Sequence, residues 1–347
     1  LLTVGLPASA RAQTDPGEVL WDAKISDTQG NFTATIDNTD EFGGTVAGLG
    51  DLDGAGPSVA AVAVGSAGDD DGGGNRGAVY ILFLDAAGSV LSYQKISDTQ
   101  GNFTATIDTG DEFGSSVAYL GDLDGAGPSV GAIAVGAVGD DDGASNSNRG
   151  CVYILFLNSA GSCLSYQKIS DTAGNFTAPF VNGNEFGSAV AGLGDLDGAG
   201  PSAGALAVGV PLDDDGGFNY GAVYVLFLNS AGSCLSYQKI SATAGNFTAA
   251  LATADEFGSS ITSLGDLDGA GPSALAFASG AIGDDDGGTD RGCVYVLFLN
   301  SAGSCLSNQK ISDLEGNFTA TFVNLDEFGG AVAHLGDLDP WGPSVAT

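Results

Sequence analysis

The chain has 347 residues and a formal net charge of −34, from 9 Lys and Arg against 43 Asp and Glu. This excess of acid repels phosphate, which makes nucleic acids and anionic membrane surfaces poor partners, and no apolar run approaches the roughly 18 residues of a membrane-spanning helix. A hydrophobic content of 43% is that of a folded chain, and the abundance of Gly and Asp favours β-structure with many tight turns.

The first residues of the sequence resemble the end of a secretory signal peptide. Two overlapping small-x-small sites, Ala8-x-Ala10 and Ala10-x-Ala12, follow an apolar stretch, as they do before signal-peptidase cleavage. We therefore interpret 1–12 as a leader remnant, with an ordinary disordered N-terminus as the alternative. The expected location is extracellular or periplasmic, either secreted or on the cell surface. Since the sequence has no Met and stops inside a motif at Thr347, we expect it to be a fragment.

A repeat of about 71 residues dominates the rest of the chain. The pair Phe-Gly recurs with spacings of 71, 73, 71 and 71 residues, and the extra two residues fall in the loop 143–148; its copies are Phe42, Phe113, Phe186, Phe257 and Phe328. This period is too long for one rung of a β-helix or for a two-helix repeat. It has room for about four strands in each unit.

Four strands are predicted in each repeat, and their composition predicts how the repeats pack. In the second repeat they are 115–120, 132–137, 151–157 and 163–169, separated by turn residues. The third strand is apolar on both faces, so other sheets must cover both. The first two strands carry small residues and the third carries large ones, which suits wedge-shaped sheets around an axis. The sequence therefore predicts an all-β fold, a β-propeller of four-stranded antiparallel blades.

These motifs resemble the FG-GAP repeats of integrin α subunits and of many secreted bacterial proteins. The resemblance rests on Phe-Gly, on Gly136-Ala137, Gly209-Val210-Pro211 and Gly280-Ala281, and on the recurring Gly-Asp-Leu-Asp-Gly, Asp-Asp-Asp-Gly and Gly-x-Val-Tyr elements. It implies a ring of seven blades, of which this chain would hold a part; a closed four-bladed ring is the alternative. Within a partial propeller over 13–347, the predicted pieces are an outer strand at 19–26, blades at about 42–97, 113–169, 186–240 and 257–311, and the start of a fifth at 328–347.

The resemblance also implies calcium sites in the loops between the first and second strands. The family binds Ca²⁺ there through D-x-D-x-D-G-x-x-D, whose first two positions match Asp51, Asp53, Asp122, Asp124, Asp195, Asp197, Asp266, Asp268, Asp337 and Asp339. The third position holds Ala55, Ala126, Ala199, Ala270 or Trp341 instead of a carboxylate. Affinity falls with the number of charged ligands, so we expect weak binding of Ca²⁺. The alternative is that these Asp residues serve only as turn residues.

Each repeat contains a second acidic loop, an Asp triplet between the second and third strands. The triplets are 69–71, 140–142, 213–215 and 284–286, and Arg76, Arg149 and Arg291 follow three of them. Consecutive carboxylates repel one another unless a cation or an Arg neutralises them. We favour a solvated loop here over a metal site. The Lys before each Ile-Ser, such as Lys95 and Lys168, recurs with the repeat and is interpreted as structural.

The Cys and Asn residues that recur with the repeat are also interpreted as structural. Cys163, Cys234 and Cys305 share one repeat position, and Cys151 and Cys293 share another. The two positions are too far apart for a disulfide, so buried free thiols are expected. The Asn of each Asn-Phe-Thr, for example Asn102, is formally a glycosylation acceptor, but we interpret it as a turn residue.

No group of residues in the sequence resembles a catalytic site. His334 is the only His, and no Ser or Cys pairs with a base as a nucleophile would require. No catalytic residue is predicted. The leading hypothesis is a non-enzymatic, secreted or surface-displayed scaffold for binding or adhesion, whose partner would be a protein or glycan. Two alternatives are a non-catalytic module of a larger secreted enzyme, such as a hydrolase, and a structural spacer.

Overall fold

The structure is a computed structural model, and it describes residues 22–54, 56–125, 127–142, 147–198, 200–269, 271 and 273–336. All regular structure in these ranges is β-structure, so they hold no helix long and apolar enough to cross a membrane. Sixteen strands form four sheets of four strands each. They are β1 (Val46–Gly50), β2 (Ala60–Ser66), β3 (Ala78–Leu84), β4 (Val90–Ile96), β5 (Phe113–Gly121), β6 (Gly131–Ala137), β7 (Cys151–Leu157), β8 (Cys163–Ile169), β9 (Ala189–Gly194), β10 (Gly204–Val210), β11 (Ala222–Leu228), β12 (Cys234–Ser241), β13 (Phe257–Gly265), β14 (Leu275–Ala281), β15 (Cys293–Leu299) and β16 (Cys305–Ile311).

Each sheet is an antiparallel meander of consecutive strands, as in β1-β2-β3-β4. The all-β prediction and the repeated four-stranded unit are confirmed. In the second repeat, β7 and β8 begin and end where the sequence predicted, whereas β5 is longer than 115–120 at its start by two residues and at its end by one. The register of β5 on β6 shifts between Phe113 and Ser116. Phe113 still pairs with Ala137, but a bulge between Phe113 and Ser116 separates this pair from the regular part of the strand.

Successive sheets pack face to face, and the third strands of the two interior sheets, β7 and β11, are buried on both sides. In β3, Val79 and Ile81 belong to the hydrophobic cluster shared with the second sheet, which contributes Tyr153 and Leu155 to it. The side chain of Tyr80, one residue along the strand, belongs to the cluster on the opposite face. Two equivalent clusters join the second sheet to the third and the third to the fourth. This stacking gives the chain a propeller-like architecture.

The first strand of each sheet lies innermost, next to an axial cavity. The cavity has a volume of about 510 Å³ and is lined by small residues from all five Phe-Gly segments, among them Thr45, Ser116, Ala189, Ser260 and Ala331. The second strands approach the next sheet closely near this axis. A methyl group on Gly136 would overlap the carbonyl oxygen of Gly187 in the following repeat. The small residues of the first two strands are therefore required by the packing, as the composition predicted.

The two ends of the array differ from its interior. Val46 in β1 is 63% exposed, whereas its equivalents Val117, Val190 and Ile261 are 6 to 8% exposed, because the face of β1 has no preceding sheet on it. Of the predicted outer strand 19–26, residues 19–21 lie outside the described part, and 22–25 have no regular structure. At the other end, the Phe328 N–H donates to the carbonyl of Arg291 as Phe113 does to Arg76. The fifth Phe-Gly segment thus begins with the same backbone hydrogen bond to the preceding repeat as the second one does.

Candidate functional site

The two families of acidic loops lie at opposite ends of the sheets. In an antiparallel meander, the loop from the first strand to the second and the loop from the second to the third occupy opposite edges. The Asp-x-Asp loops therefore share one end of the molecule with the turns between the third and fourth strands. The Asp triplets share the other end with the Glu-Phe-Gly turns and with the ends of the fourth strands, where the recurring Lys residues lie.

In the Asp-x-Asp loops, the second carboxylate is held by a Ser of the same loop. The Leu between the two Asp residues is buried in the first repeat, where Leu52 is 4% exposed and anchors the loop. The first Asp is exposed. The Ser Oγ lies within hydrogen-bonding distance of the second Asp Oδ1 in four repeats, in the pairs Ser58–Asp53 (2.7 Å), Ser129–Asp124 (2.7 Å), Ser202–Asp197 (2.6 Å) and Ser273–Asp268 (2.7 Å).

The carboxylates available to a cation in these loops are few. Among the described residues, no group of three or more His, Cys, Asp or Glu side chains is arranged to hold a metal ion. The second Asp already accepts a hydrogen bond from Ser, which is the arrangement that the turn-residue interpretation requires. A Ca²⁺ ion would therefore have to complete its coordination with backbone carbonyls and water. Asp337 and Asp339 of the fifth loop lie outside the described residues.

The Asp triplets are only partly solvated: a Lys from the fourth strand pairs with the first and third Asp, whereas the middle Asp is exposed in three of the four repeats. The first Asp of each triplet is buried, with exposures of 2 to 6%. It forms an ion pair with the recurring Lys in every sheet: Lys95–Asp69 (2.7 Å), Lys168–Asp140 (2.7 Å), Lys239–Asp213 (2.9 Å) and Lys310–Asp284 (2.6 Å). The same Lys also pairs with the third Asp, as Lys168 does with Asp142 at 2.6 Å. The interpretation of the Lys as structural is confirmed, and the preference for a solvated triplet is wrong for the buried first Asp but confirmed for the exposed middle Asp of three repeats.

These networks set the protonation of the groups they contain. Burial opposes ionisation of Asp71, but the hydrogen bond and charge of Lys95, together with hydrogen bonds from Gln100 and Thr99, place its pKa below the ordinary value. Burial likewise disfavours the charged form of Lys95, and its bonds to Asp69 and Asp71 raise its pKa instead. Asp71 and Lys95 are therefore both charged near neutral pH and stabilise each other. That arrangement suits structure better than acid–base chemistry.

The Arg residues that follow three triplets pair with a different Asp, located just after the fourth strand. Arg149 Nη1 lies 3.0 Å from Asp171 Oδ2, and equivalent pairs join Arg76 to Asp98 and Arg291 to Asp313. The third repeat has neither partner: Tyr220 stands in place of Arg and Ala242 in place of Asp. Both now pack against the hydrophobic cluster between the third and fourth sheets. The ion pairs of these Arg residues among the described residues are therefore with the Asp after the fourth strand and not with the triplets.

A further acidic position, just before each Glu-Phe-Gly, is buried. Asp111 and Asp255 accept hydrogen bonds from the backbone N–H groups of Asp108 and Ala252, both at 2.7 Å. Burial, and next the charge of Asp140 or Asp284, raise the pKa of each to about 6. The third repeat carries Asn184 at this position, and its Oδ1 accepts the corresponding N–H of Val181. A neutral amide therefore replaces a carboxylate that is costly to ionise.

The Glu of each Glu-Phe-Gly turn has a left-handed backbone and comes just before the segment that lines the axial cavity. Their φ angles are 57°, 58°, 57°, 57° and 51° for Glu41, Glu112, Glu185, Glu256 and Glu327, a region in which non-Gly residues are uncommon. Burial raises the pKa of Glu185, and the neighbouring charges of Glu112 and Glu256 raise it further. The five turns thus place carboxylates of successive repeats near one another around the axis.

The remaining repeat residues have structural roles. All five Cys are free and buried, as predicted, and burial raises the pKa of the Cys163 and Cys234 thiols to about 11, which disfavours the reactive thiolate. The five Asn of Asn-Phe-Thr have positive φ angles of 56° to 60°. Asn tolerates this conformation well, which confirms it as a turn residue.

The Asp partners of the recurring Lys residues were not predicted from the sequence. The spacing of 26 residues between Lys95 and Asp69 recurs in three of the four repeats, with 28 in the second because of the longer loop. That constant spacing, together with the opposite charges, was the available signal. A scan against protein-family models finds no match to this chain, and a search of curated proteins finds none either. Function therefore has to be argued from the fold and the loops.

Proposed function

We propose that the chain is a non-enzymatic scaffold for binding or adhesion, built of FG-GAP-type repeats and acting outside the cell. The observation that carries the proposal is the five-fold repetition of one surface: the Glu-Phe-Gly turns around the axial cavity. A surface that presents the same groups once per repeat is suited to a broad partner with several equivalent contacts, such as a protein or a glycan chain.

The distribution of the titratable side chains supports a scaffold rather than an enzyme. The buried Lys and Asp residues at the triplets neutralise one another within each sheet. Asp111 and Asp255, whose pKa values are raised to about 6, cap turns, and among the described residues no Ser, Thr or Cys side chain is hydrogen-bonded to either of them. The same groups recur in each repeat, whereas an active site needs groups that differ in role.

The partner is expected to contact the axial surface through positive or hydrogen-bond-donating groups. Burial raises the pKa values of Glu112, Glu185 and Glu256, and carboxylates of neighbouring turns raise them further, as Glu112 and Glu256 do for Glu185. A cationic or hydroxyl-rich partner would relieve this repulsion. Calcium stays a proposal about the Asp-x-Asp loops at the opposite end. There an ion would rigidify the scaffold without touching the axial surface.

The test is adhesion of the immobilised protein to cells and to a glycan array, with two matched triple variants. Replacing Glu112, Glu185 and Glu256 by Gln should weaken binding by about tenfold or more, because the axial charge is lost. The control replaces the exposed outer-strand residues Leu91, Leu164 and Leu235 by Gln and should leave binding within about twofold. If the Glu variant binds as well as the Leu variant, the axial surface is not the binding surface. Turnover of ester, glycoside or phosphate substrates by the purified chain would contradict the non-enzymatic function.

A further inference from the structure

In three of the four sheets, the ring of a Tyr in the outermost strand packs edge-on against a buried Phe. The ring centroids are 5.0 Å apart for Tyr93 and Phe32, 4.9 Å for Tyr166 and Phe103, and 4.8 Å for Tyr237 and Phe176, all in edge-on geometry. Each Tyr also lies about 6 Å from the buried Tyr of the third strand, such as Tyr153 at 6.1 Å. The three aromatic rings form one packed group in each of these sheets.

The fourth sheet lacks this outer ring. Asn308 stands at the position of the Tyr, beside Phe247 and Tyr295. Its amide nitrogen donates to Thr248 Oγ1 at 3.3 Å, so the shorter side chain is held at the rim. A cleft of about 520 Å³ lies at Asn308, where the other sheets have a phenol ring. Its lining includes Ala249, Ala250, Tyr295, Asn308, Lys310 and Glu315.

The lining of the cleft is apolar on one side and acidic at its edge. Ala249 and Ala250 form the apolar part. Phe247 keeps its edge-on contact with Tyr295 but, with Asn308 in place of Tyr, it lacks the outer-strand ring that its equivalents contact. Tyr295 is fully buried, and its hydroxyl has no hydrogen-bond partner among the described residues. A planar ring with a hydroxyl group would restore the contacts that Tyr166 and its equivalents make.

Charge favours a cation at the edge of this cleft. Lys310 is already paired with Asp284 at 2.6 Å and with Asp286 at 2.8 Å. Glu315 also lines the cleft, at a position where the other sheets have Gln100, Ala173 and Ala244. None of the ion pairs found among the described residues involves Glu315, so this sheet adds a negative charge that the others lack. An ammonium group would be attracted to it and a carboxylate repelled.

We propose that the cleft of the fourth sheet binds a small phenol that carries a positively charged amine. The phenol ring takes the place that a Tyr side chain occupies in the other three sheets, against Phe247, and the ammonium group faces Glu315. The site lies on the outer part of one sheet, away from the axial surface of the proposed function, and either can fail without the other.

The experiment titrates the whole chain with tyramine and follows binding by NMR, using two substitutions at the same position. Asn308→Tyr rebuilds the aromatic group of the other sheets, so it should fill the cleft and abolish saturable binding. Asn308→Ala leaves the cleft open and should retain binding. Because Asn308→Tyr restores the repeat's own residue, it is expected to fold, and its thermal unfolding verifies that it has done so.

A second arm tests the role of charge. Glu315→Gln should weaken tyramine binding by about two- to fivefold, as expected for one partly exposed ion pair, and 4-hydroxyphenylacetate should bind more weakly than tyramine. The proposal is overturned if tyramine does not saturate at millimolar concentrations, or if Asn308→Tyr binds it as well as the unaltered chain. Tighter binding of the anionic phenol would also overturn it.

Discussion

The Lys and Arg side chains of the four sheets pair with Asp residues at positions that recur with the repeat. Lys168 lies between Asp140 and Asp142 and has its Nζ 5.8 Å from the ring centroid of Tyr153. A buried ion pair of this kind contributes little over an apolar substitute, yet breaking it by removing one partner leaves an uncompensated charge. The repeats therefore tolerate the joint loss of a pair much better than the loss of one member. The third repeat, with Tyr220 and Ala242, has undergone such a joint loss.

That replacement predicts the outcome of a double-mutant cycle in the second repeat. Arg149→Tyr alone should destabilise the protein by about 1 to 3 kcal/mol, because Asp171 would be left buried without its cation. Asp171→Ala added to Arg149→Tyr should recover most of this loss, since it recreates the pair of the third repeat. Urea unfolding of the four proteins measures the coupling. A double variant whose loss equals the sum of the two single losses would contradict the expected coupling.

The carboxyl of Asp111 predicts a pH-dependent stability. Its pKa is raised to about 6 in the folded state by burial and by Asp140, above its value in the unfolded chain, so the contribution of this group to stability falls as the pH rises from about 4 through 6. Asp111→Asn should therefore raise the free energy of unfolding by about 1 to 2 kcal/mol at pH 8 and by roughly half as much at pH 5.

The third repeat offers the reverse substitution as a control. Asn184→Asp introduces the carboxyl that the other repeats have, and it should lower the free energy of unfolding at pH 8 more than at pH 5. Urea unfolding at both pH values measures the two variants. Equal effects of Asp111→Asn at pH 5 and pH 8 would mean that the carboxyl is ionised in the fold throughout this range.

At the scale of the strands, close approach of the backbones decides where glycine is needed. In the first sheet, a methyl group on Gly65 of β2 would overlap both the carbonyl oxygen of Gly114 and the side chain of Thr45. Gly48 of the adjacent β1 has no atom within 4 Å of where its methyl would lie. The packing thus excludes a side chain at Gly65 and leaves room for one at Gly48.

The two glycines make a matched pair of substitutions. Gly65→Ala should destabilise the protein by about 1 to 3 kcal/mol, because the second sheet must move away. Gly48→Ala should be neutral or slightly stabilising, since alanine restricts the unfolded chain at no steric cost. Chemical unfolding of both variants tests this, and a similar loss for the two would contradict close packing of the sheets at Gly65.

The Asp-x-Asp loops predict a response to calcium that separates their two interpretations. Added Ca²⁺ should raise the Tm and EDTA should lower it. Asp53→Asn keeps an acceptor for Ser58 Oγ but removes one charged ligand, so variants of this type in all four loops should leave the Tm in EDTA nearly unchanged and remove the gain with Ca²⁺. Thermal unfolding with Ca²⁺ and with EDTA provides the measurement. No shift with either addition would reject calcium and leave Asp as a turn residue.

At the scale of the whole molecule, the sheets depend on their neighbours for burial. The face of the first sheet carries a groove of about 220 Å³ lined by apolar residues that include Phe42, Val46 and Val62. Its counterpart in the second sheet is covered by the first. An exposed apolar sheet face is prone to association, and we expect the isolated chain to self-associate.

Equivalent valines in the first and second sheets test this expectation. Val117→Ser should cost about 1.5 to 3 kcal/mol, because a buried valine is lost to a polar group, whereas Val46→Ser should change stability by less than about 0.5 kcal/mol. Light scattering should show less self-association for Val46→Ser than for the unaltered chain. A monodisperse monomer of the unaltered chain would contradict the expected self-association.

The sequence by itself determined the repeat, the four strands of each unit and the burial of the third strand. These follow from local signals: Gly and Asp mark turns, and an apolar run such as 151–157 requires cover on both faces. The tertiary structure decided which charges meet, because Lys168 and Asp140 come together only when the ends of β8 and β6 share one edge of a sheet. It also decided protonation, since burial raises the pKa of Asp111. In the fourth sheet it placed Asn308 in a cleft with Ala249 and Ala250, which are distant in sequence. Local patterns specify strands, whereas pairing and burial depend on distances between strands that only packing sets.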